Sequence, residues 1–396
     1  MRVYHFTEQP YPDAWEDHTE SLRVTLPNRR LDPVIAADLI NRYYDEWALA
    51  DELGLDVMVN EHHQTATCMS STSIVALSVL ARITKRARIL ILGYPIGHRT
   101  DPLRVAEELA MVDLVSRGRL DMGFIKGVPY EFACSNQNAV GVMDRFWEAH
   151  DFIIKAMTSH DGPFNWESEN FHYRQVNIWP RPYQQPHPPV WSTTASRGNA
   201  RVLGEKGYVM SVLGSGYSTR PVYDAYREGY KAAGRGMAPA DRFGYLGLIS
   251  VAATEQKARE RAEIIATYLR SGEHVAPAFK NPPGYLSVED NARLLRGQTA
   301  PRSVTKDGRK IDMRKGSVQE LIDAAVMFCG TPDQVFEQIT DFADYCGGMG
   351  NLLMMGHAGA LSHTETVDNL TVFAKEVLPR LKTYRQPTLD DAIAAA

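Results

Sequence analysis

Apolar and polar positions along this chain change period again and again. Short apolar runs rich in β-branched residues are followed by stretches of ten to twenty residues whose apolar positions recur at helical spacing. The runs predict strands at 3–6, 56–60, 88–94, 120–126, 189–193, 208–213, 245–252 and 351–356. Between them lie helices such as DPVIAADLINRYYDEWALADELG, in which Ile40, Tyr43, Tyr44, Trp47 and Ala50 share one face. Another, DPLRVAEELAMVDLVSRG, opens with Asp101 as N-cap and Pro102 in the first turn, and closes at Gly118. Alternation of this kind predicts parallel strands joined by helical crossovers. The expected fold is α/β, a closed (β/α)8 TIM barrel rather than an open sheet.

A minimal barrel needs roughly 250 residues. With 396 residues the chain reads as a single barrel domain over 1–396 that carries insertions. One, at about 161–188, alternates aromatics and leaves through a proline-rich segment, which suits a hairpin or capping loop. The other, at about 272–317, has glycine, proline and charge throughout and is the candidate lid, since long loops without a pattern of their own are commonly functional.

Composition narrows the function classes. The net charge is −5 and no basic run of five or more occurs, which argues against nucleic acid. No window approaches 18 apolar residues, and MRVYHFTEQPYPD has no cationic segment followed by an apolar one, so a cytoplasmic protein with no membrane contact is expected. Cys68, Cys134, Cys329 and Cys346 are scattered without paired spacing, which suggests neither a disulfide framework nor a zinc site.

The unusual residues fall at strand ends, where barrels of this kind keep their active sites. VNEHHQT places Glu61, His62 and His63 at the second strand's tip, although buried strands do not normally finish in ionisable groups. Gly93 and Tyr94, Lys126 and Gly127, Ser192 to Thr194, Gly214 to Gly216 and His357 occupy other tips, and one shared pocket would explain them together. In STTASRGNARVLGEKG a strand hands over to a helix at about Arg197. Thr194 to Ser196 there supply hydroxyls and free N–H groups suited to an anion, and Lys126 would either neutralise it or lie over the ligand ring. Read alone, Ser196 serves equally as a plain helix cap. Glu61, His62 and His63 are poor metal ligands as a set, because neighbours on a strand point to opposite faces and a third ligand is missing; no metal is expected. His62 is the better candidate for acid/base work near neutrality, against the alternative of a structural histidine. No GxGxxG, Walker or GxSxG motif occurs.

The EHH at the second strand, the block DPLRVAEELAMVDLVSRGRLDMGFIKGVPYEF, the helix GTPDQVFEQITDF and the closing NLLMMGHAGALSHTETVDNLTVFAKEVLPRL together resemble the bacterial-luciferase-like flavin monooxygenases nearly end to end. The resemblance implies FMNH2 delivered by a separate flavin reductase, reaction with O2 through a flavin C4a-(hydro)peroxide, and oxygenation of a small organic substrate. It implies that His62 is the histidine beside the flavin, supported by Glu61. Gly93 and Tyr94 would line the isoalloxazine ring, where the family often has a strained backbone. Thr194, Ala195, Ser196 and Asn199 would surround the phosphate. Lys126 stands where many members have Arg, which keeps the charge but loses the planar fork; Ala195 stands where some carry an acid.

Two rival readings remain: an F420-dependent oxidoreductase on the same barrel, and a catalytically silent flavin-binding protein. Tyr4, Phe6, Tyr130, Phe132 and the aromatics of 161–188 hint at an apolar or aromatic ligand. A homo-oligomer, dimer or higher, is possible, with Tyr43, Tyr44 and Trp47 as candidate contacts, though packing of that helix on the barrel is the expectation.

Overall fold

The computed structural model describes residues 1–15, 21–271, 275–297 and 303–386. Eight strands close into a parallel ring: β1 (Arg2–Phe6), β2 (Asp56–Val59), β3 (Ile89–Pro95), β4 (Leu120–Ile125), β5 (Val190–Thr193), β6 (Val209–Leu213), β7 (Phe243–Val251) and β8 (Asn351–Met355), with β8 returning to β1. This is the (β/α)8 barrel that the alternation predicts, each strand within a few residues of its expected span. A further strand, Met327–Gly330, was not expected. It pairs with Leu248–Val251 after β6 has taken the first half of β7. VMFCG is a short apolar run between two helical patterns, and periodicity alone cannot separate such a run from the end of a buried helix.

Side chains alternate across each strand and feed two cores. Val57, Val59, Ile89, Ile91, Met122 and Phe124 pack outward against helices, among them α1 (Pro33–Glu52), α2 (Ser73–Ile83), α3 (Pro102–Ser116) and α4 (Val142–Thr158). Tyr4, Phe6, Met58, Leu90, Leu92 and Trp191 fill the inside. The amino-terminal end of the barrel is plugged. The Tyr4 ring meets Trp191 edge-on at 5.6 Å, its hydroxyl donates to Asp121, and Arg88 binds both Asp121 oxygens at 2.8 and 2.6 Å. Open space is therefore left at the carboxyl ends.

Tyr43 and Trp47 are buried within the chain, where the Tyr43 hydroxyl donates to the Pro10 carbonyl, so that face of α1 packs on the barrel. The 161–188 insertion forms an antiparallel hairpin, Phe164–Glu167 with His172–Val176. Its aromatics stack on Phe152 of α4, with Tyr173 at 4.7 Å, and do not reach the barrel mouth. Of the 272–317 insertion, residues 272–274 and 298–302 lie outside the described residues. The rest has more regular structure than its composition suggests: helices Pro277–Lys280 and Val288–Leu295 and a ribbon of Ser303–Val304 with Lys310–Ile311.

Glycine is required where strands or loops approach too closely for a side chain. A Cβ on Gly123 of β4 would stand 2.3 Å from the Ile91 carbonyl oxygen of β3. Gly123→Ala is expected to lower stability by about 1–3 kcal/mol, read as a fall in the urea midpoint; an unchanged midpoint would contradict this packing.

Candidate active site

A cavity of about 450 Å³ opens at the carboxyl ends of the strands. Its floor is apolar, made by Phe6, Met58, Leu92, Ile125, Leu213 and Leu246, and α4 contributes Met143, Phe146 and Trp147 to one side. Polar groups enter from the strand tips and the loops that follow them, and from Asn199, Tyr268 and Tyr285.

The sharpest constellation centres on Glu131, in the short helix Glu131–Cys134 that follows β4. Its carboxylate has no exposed surface. One oxygen takes the His62 ring through Nδ1 at 2.9 Å and the His63 backbone N–H at 3.0 Å; the other takes the Val128 N–H at 3.3 Å and faces His98 Nε2 at 3.5 Å. A buried carboxylate without partners would be prohibitively costly, so these contacts fix the loops after β2 and β4 against each other. His62 Nε2 makes no hydrogen bond among the described residues, while the ring lines the cavity with its side chain 16% exposed. Burial pulls the His62 pKa down, but the Glu131 hydrogen bond and charge outweigh it and hold the imidazolium above its ordinary range. Glu131 is correspondingly held far below the usual carboxylate range despite its burial.

Glu61 also borders the cavity, but both its oxygens are committed. Oε2 accepts from the Ser73 N–H at 2.8 Å and the Ser73 hydroxyl at 2.6 Å, at the start of α2. Oε1 takes Arg99 and, at 3.2 Å, His63 Nε2. Burial would raise its pKa, yet these partners bring it down to about 2. Glu61 thus anchors the His62 loop and has no oxygen left to act on a ligand.

On the β4 and β5 side, α5 (Arg197–Lys206) begins at the cavity edge, with Ser196 as N-cap accepting from the Asn199 N–H. The Thr194 hydroxyl accepts from the Ser196 N–H at 3.0 Å, while the N–H groups of Arg197 and Gly198 take no acceptor among the described residues. Ala195, Ser196 and Asn199 are exposed, so this helix end is open to an anion. Lys126 lies half-buried at the same mouth, its pKa lowered by burial. Its ammonium sits 3.7 Å from the centre of the Tyr285 ring and donates to the Tyr285 carbonyl at 3.4 Å; the Tyr285 hydroxyl in turn donates to the Gly127 carbonyl. Among the described residues of the 272–317 insertion, Tyr285 is the one that borders the cavity.

The site residues read from the sequence fall as follows. Glu61, His62, Gly93, Lys126, Thr194, Ala195, Ser196 and Asn199 all border this cavity. Tyr94 does not. The β3–β4 register shifts between Leu92 and Tyr94, and Tyr94 turns outward, its hydroxyl on Glu108 at 2.6 Å and Arg99 over its ring. Two other strand tips also depart from the shared pocket. His357 is enclosed by Thr7, Leu361 and Tyr43, and Gly216 pairs with the insertion ribbon at Val304. Among the described residues no group of three or more His, Cys, Asp or Glu is placed to hold a metal ion. Sequence reasoning missed Glu131, Arg99, Tyr285 and the pair Glu8 and Tyr268. Glu131 had a signal, an acid between two aromatics just past a strand tip.

A family model described as luciferase-like monooxygenase matches residues 25–347. The oxygenase component of a flavin-dependent trigonelline monooxygenase from Acinetobacter baylyi is 30% identical over 157 residues, 37% of this chain and 42% of that protein. The chain spans about half the length of the curated relatives it matches first, 56% and 42%. Among solved structures, the FMN complex of the oxygenating constituent of 3,6-diketocamphane monooxygenase from Pseudomonas putida, a type II Baeyer–Villiger monooxygenase, superposes with a TM-score of 0.72. It is 17% identical and covers 98% of this chain and 100% of that one. An F420-dependent secondary alcohol dehydrogenase shares the fold at a TM-score of 0.63, 16% identity, 88% of this chain and 95% of that one.

Because Glu131 raises the His62 pKa, the stability gained from protonated His62 is complete below the unfolded value and is lost as pH rises through the folded one. Glu61 and Glu131 act in the opposite sense: their contribution is present above the unfolded carboxylate value and is lost as pH falls. In a histidine NMR titration His62 is expected above its ordinary value of ~6.5, and lower in Glu131→Gln, where burial is opposed by the Glu8 charge but no longer by Glu131. The same midpoint in both proteins would remove Glu131 as the cause.

Proposed function

The chain belongs to the luciferase-like monooxygenases, and on that premise we propose that it is the oxygenase of a two-component system, working on a small organic substrate with FMNH2 from a separate flavin reductase and O2. The observation that carries this reading is a single apolar cavity that joins His62 to an open helix N-terminus beside a lysine. Those parts fit FMN: an anion site for the phosphate and an apolar slot for a flat ring. Bound reduced flavin supplies the activation of O2.

The chain's own residues would bind, orient and shield. Ser196, the free N–H groups of Arg197 and Gly198, and Asn199 would hold the phosphate, with Thr194 and Ala195 shaping the approach. Lys126 would add charge once released from Tyr285. Gly93 would line the slot together with Ile125, whose Cγ2 stands 2.4 Å from where a Cβ on residue 93 would be. His62, oriented through Nδ1 by Glu131, would hold or accept a proton at Nε2 next to the reacting atoms. Glu61 is a positioning residue in this scheme. Met143, Phe146, Trp147 and Tyr285 would exclude water from the ring, and the 272–317 insertion acts as the lid.

A diffusible reductase fits a chain with no dinucleotide fingerprint, and a cytoplasmic setting fits that partner. Among the described residues no helix is long and apolar enough to cross a membrane. The F420 alternative stays in the test, because the same anion site and slot would accept a deazaflavin.

The test is anaerobic titration with FMNH2 and with reduced F420, followed by oxygen uptake. Selective FMNH2 binding with oxygen consumption is expected; tight F420 binding without oxygen uptake would overturn the reaction assigned. Ser196→Ala is expected to weaken FMN binding about tenfold. His62→Gln, which can still donate to Glu131, is expected to leave FMN affinity near wild type and cut turnover about 10²- to 10⁴-fold.

A further inference from the structure

Glu8, two residues beyond β1, is a buried carboxylate that the scheme above does not use. It is 8% exposed and lines the cavity. The Tyr268 hydroxyl of α6 (Glu255–Ser271) donates to its Oε1 at 2.6 Å, and Tyr268 lines the cavity as well. Among the described residues Oε2 accepts no hydrogen bond, and no cation lies within ion-pair distance of Glu8.

Charge and hydrogen bonding are supplied separately here. Arg23 stands over the Tyr130 ring at 4.9 Å, forms no ion pair among the described residues, and is close enough for Glu8 to favour its charged form. The carboxylate is thus balanced electrostatically from a distance, while a carboxylate's four or so lone-pair sites receive one donor. Oε2 keeps accessible surface, and on a residue that borders the same cavity as Phe6, Met58 and Leu246 it is an open acceptor for a donor bound there. The position matters too. In the ring of eight strands β1 stands four strands from β5 in either direction, so Glu8 lies across the barrel from the Ser196 helix end.

We propose that Glu8 is the substrate-orienting acceptor, and that the cavity takes an apolar organic molecule carrying an N–H or O–H donor, which binds Glu8 Oε2. Tyr268 is a positioning residue that fixes the carboxylate. The assignment rests on the flavin reading for what occupies the opposite side; the donor to Glu8 belongs to the substrate and not to the flavin ring.

The experiment compares indole with N-methylindole, a matched pair that differs in one N–H donor. Calorimetric titration is run on wild type, Glu8→Gln and Glu8→Met, with and without FMN, and FMN affinity is measured in parallel. Wild type is expected to prefer indole about tenfold or more, as a hydrogen bond to a charged group implies. The preference shrinks in Glu8→Gln and vanishes in Glu8→Met, with FMN affinity unchanged in both. Equal or undetectable binding of the two probes to wild type overturns the proposal without need of any variant. So does a preference that survives in both variants, or a loss of FMN affinity in them with the preference intact, which would make the flavin ring the donor. Absence of FMN binding to wild type, with the indole preference present, would instead overturn the flavin reading and leave Glu8 as assigned.

Discussion

A carboxylate enclosed without water must be met by donors from every side, and Glu131 is in that position. Its two oxygens collect the His62 ring, the His63 N–H, the Val128 N–H and the edge of His98, which come from the loops after β2, β3 and β4. The geometry of the barrel mouth follows from that demand. His62 cannot rotate without exposing Glu131 to an unpaired buried charge, so its Nε2 is held towards the cavity. The same contact sets the charge state of the imidazole, because the hydrogen bond and the negative charge together overcome the effect of burial.

Around this centre the polar groups divide by strand address. Glu61 and Arg99 form a supporting layer that ties the His62 loop to α2. The β4 and β5 tips present cation, hydroxyls and open N–H groups, while the β1 side presents an acid and a tyrosine. Between the two lies apolar surface. An elongated ligand with an anionic end, or two ligands side by side, fits that distribution better than a uniformly polar molecule does. Tyr285 links the insertion to the mouth by holding Lys126, so an anion arriving at the Ser196 helix would compete with an aromatic ring for the same cation.

The fold was legible because strand and helix periods alternate cleanly and because caps such as Asp101 and Ser196 mark where helices begin. Met327–Gly330 was not legible, being four apolar residues with no alternation of their own. In the site, residues adjoining strand tips could be read because address and chemistry coincide, as at His62, Lys126 and Ser196. Tyr94 shows the limit of address alone. Alternation along the strand would set Tyr94 on the inner face with Leu90 and Leu92, but the β3–β4 register shifts between Leu92 and Tyr94 and the tyrosine belongs to the outer core. Glu8, Glu131 and Tyr285 needed tertiary contacts to be seen, since each acts on a partner more than 60 residues away in sequence.

A flavin held in one cavity between the Ser196 helix and His62 would be seen in a crystal structure of the protein soaked with FMN. The phosphate is expected against the Ser196 and Asn199 end of α5, the ring over Gly93, and His62 Nε2 facing the ring with Nδ1 still on Glu131. A phosphate seated elsewhere, or a ring that leaves His62 out of contact, would contradict that placement.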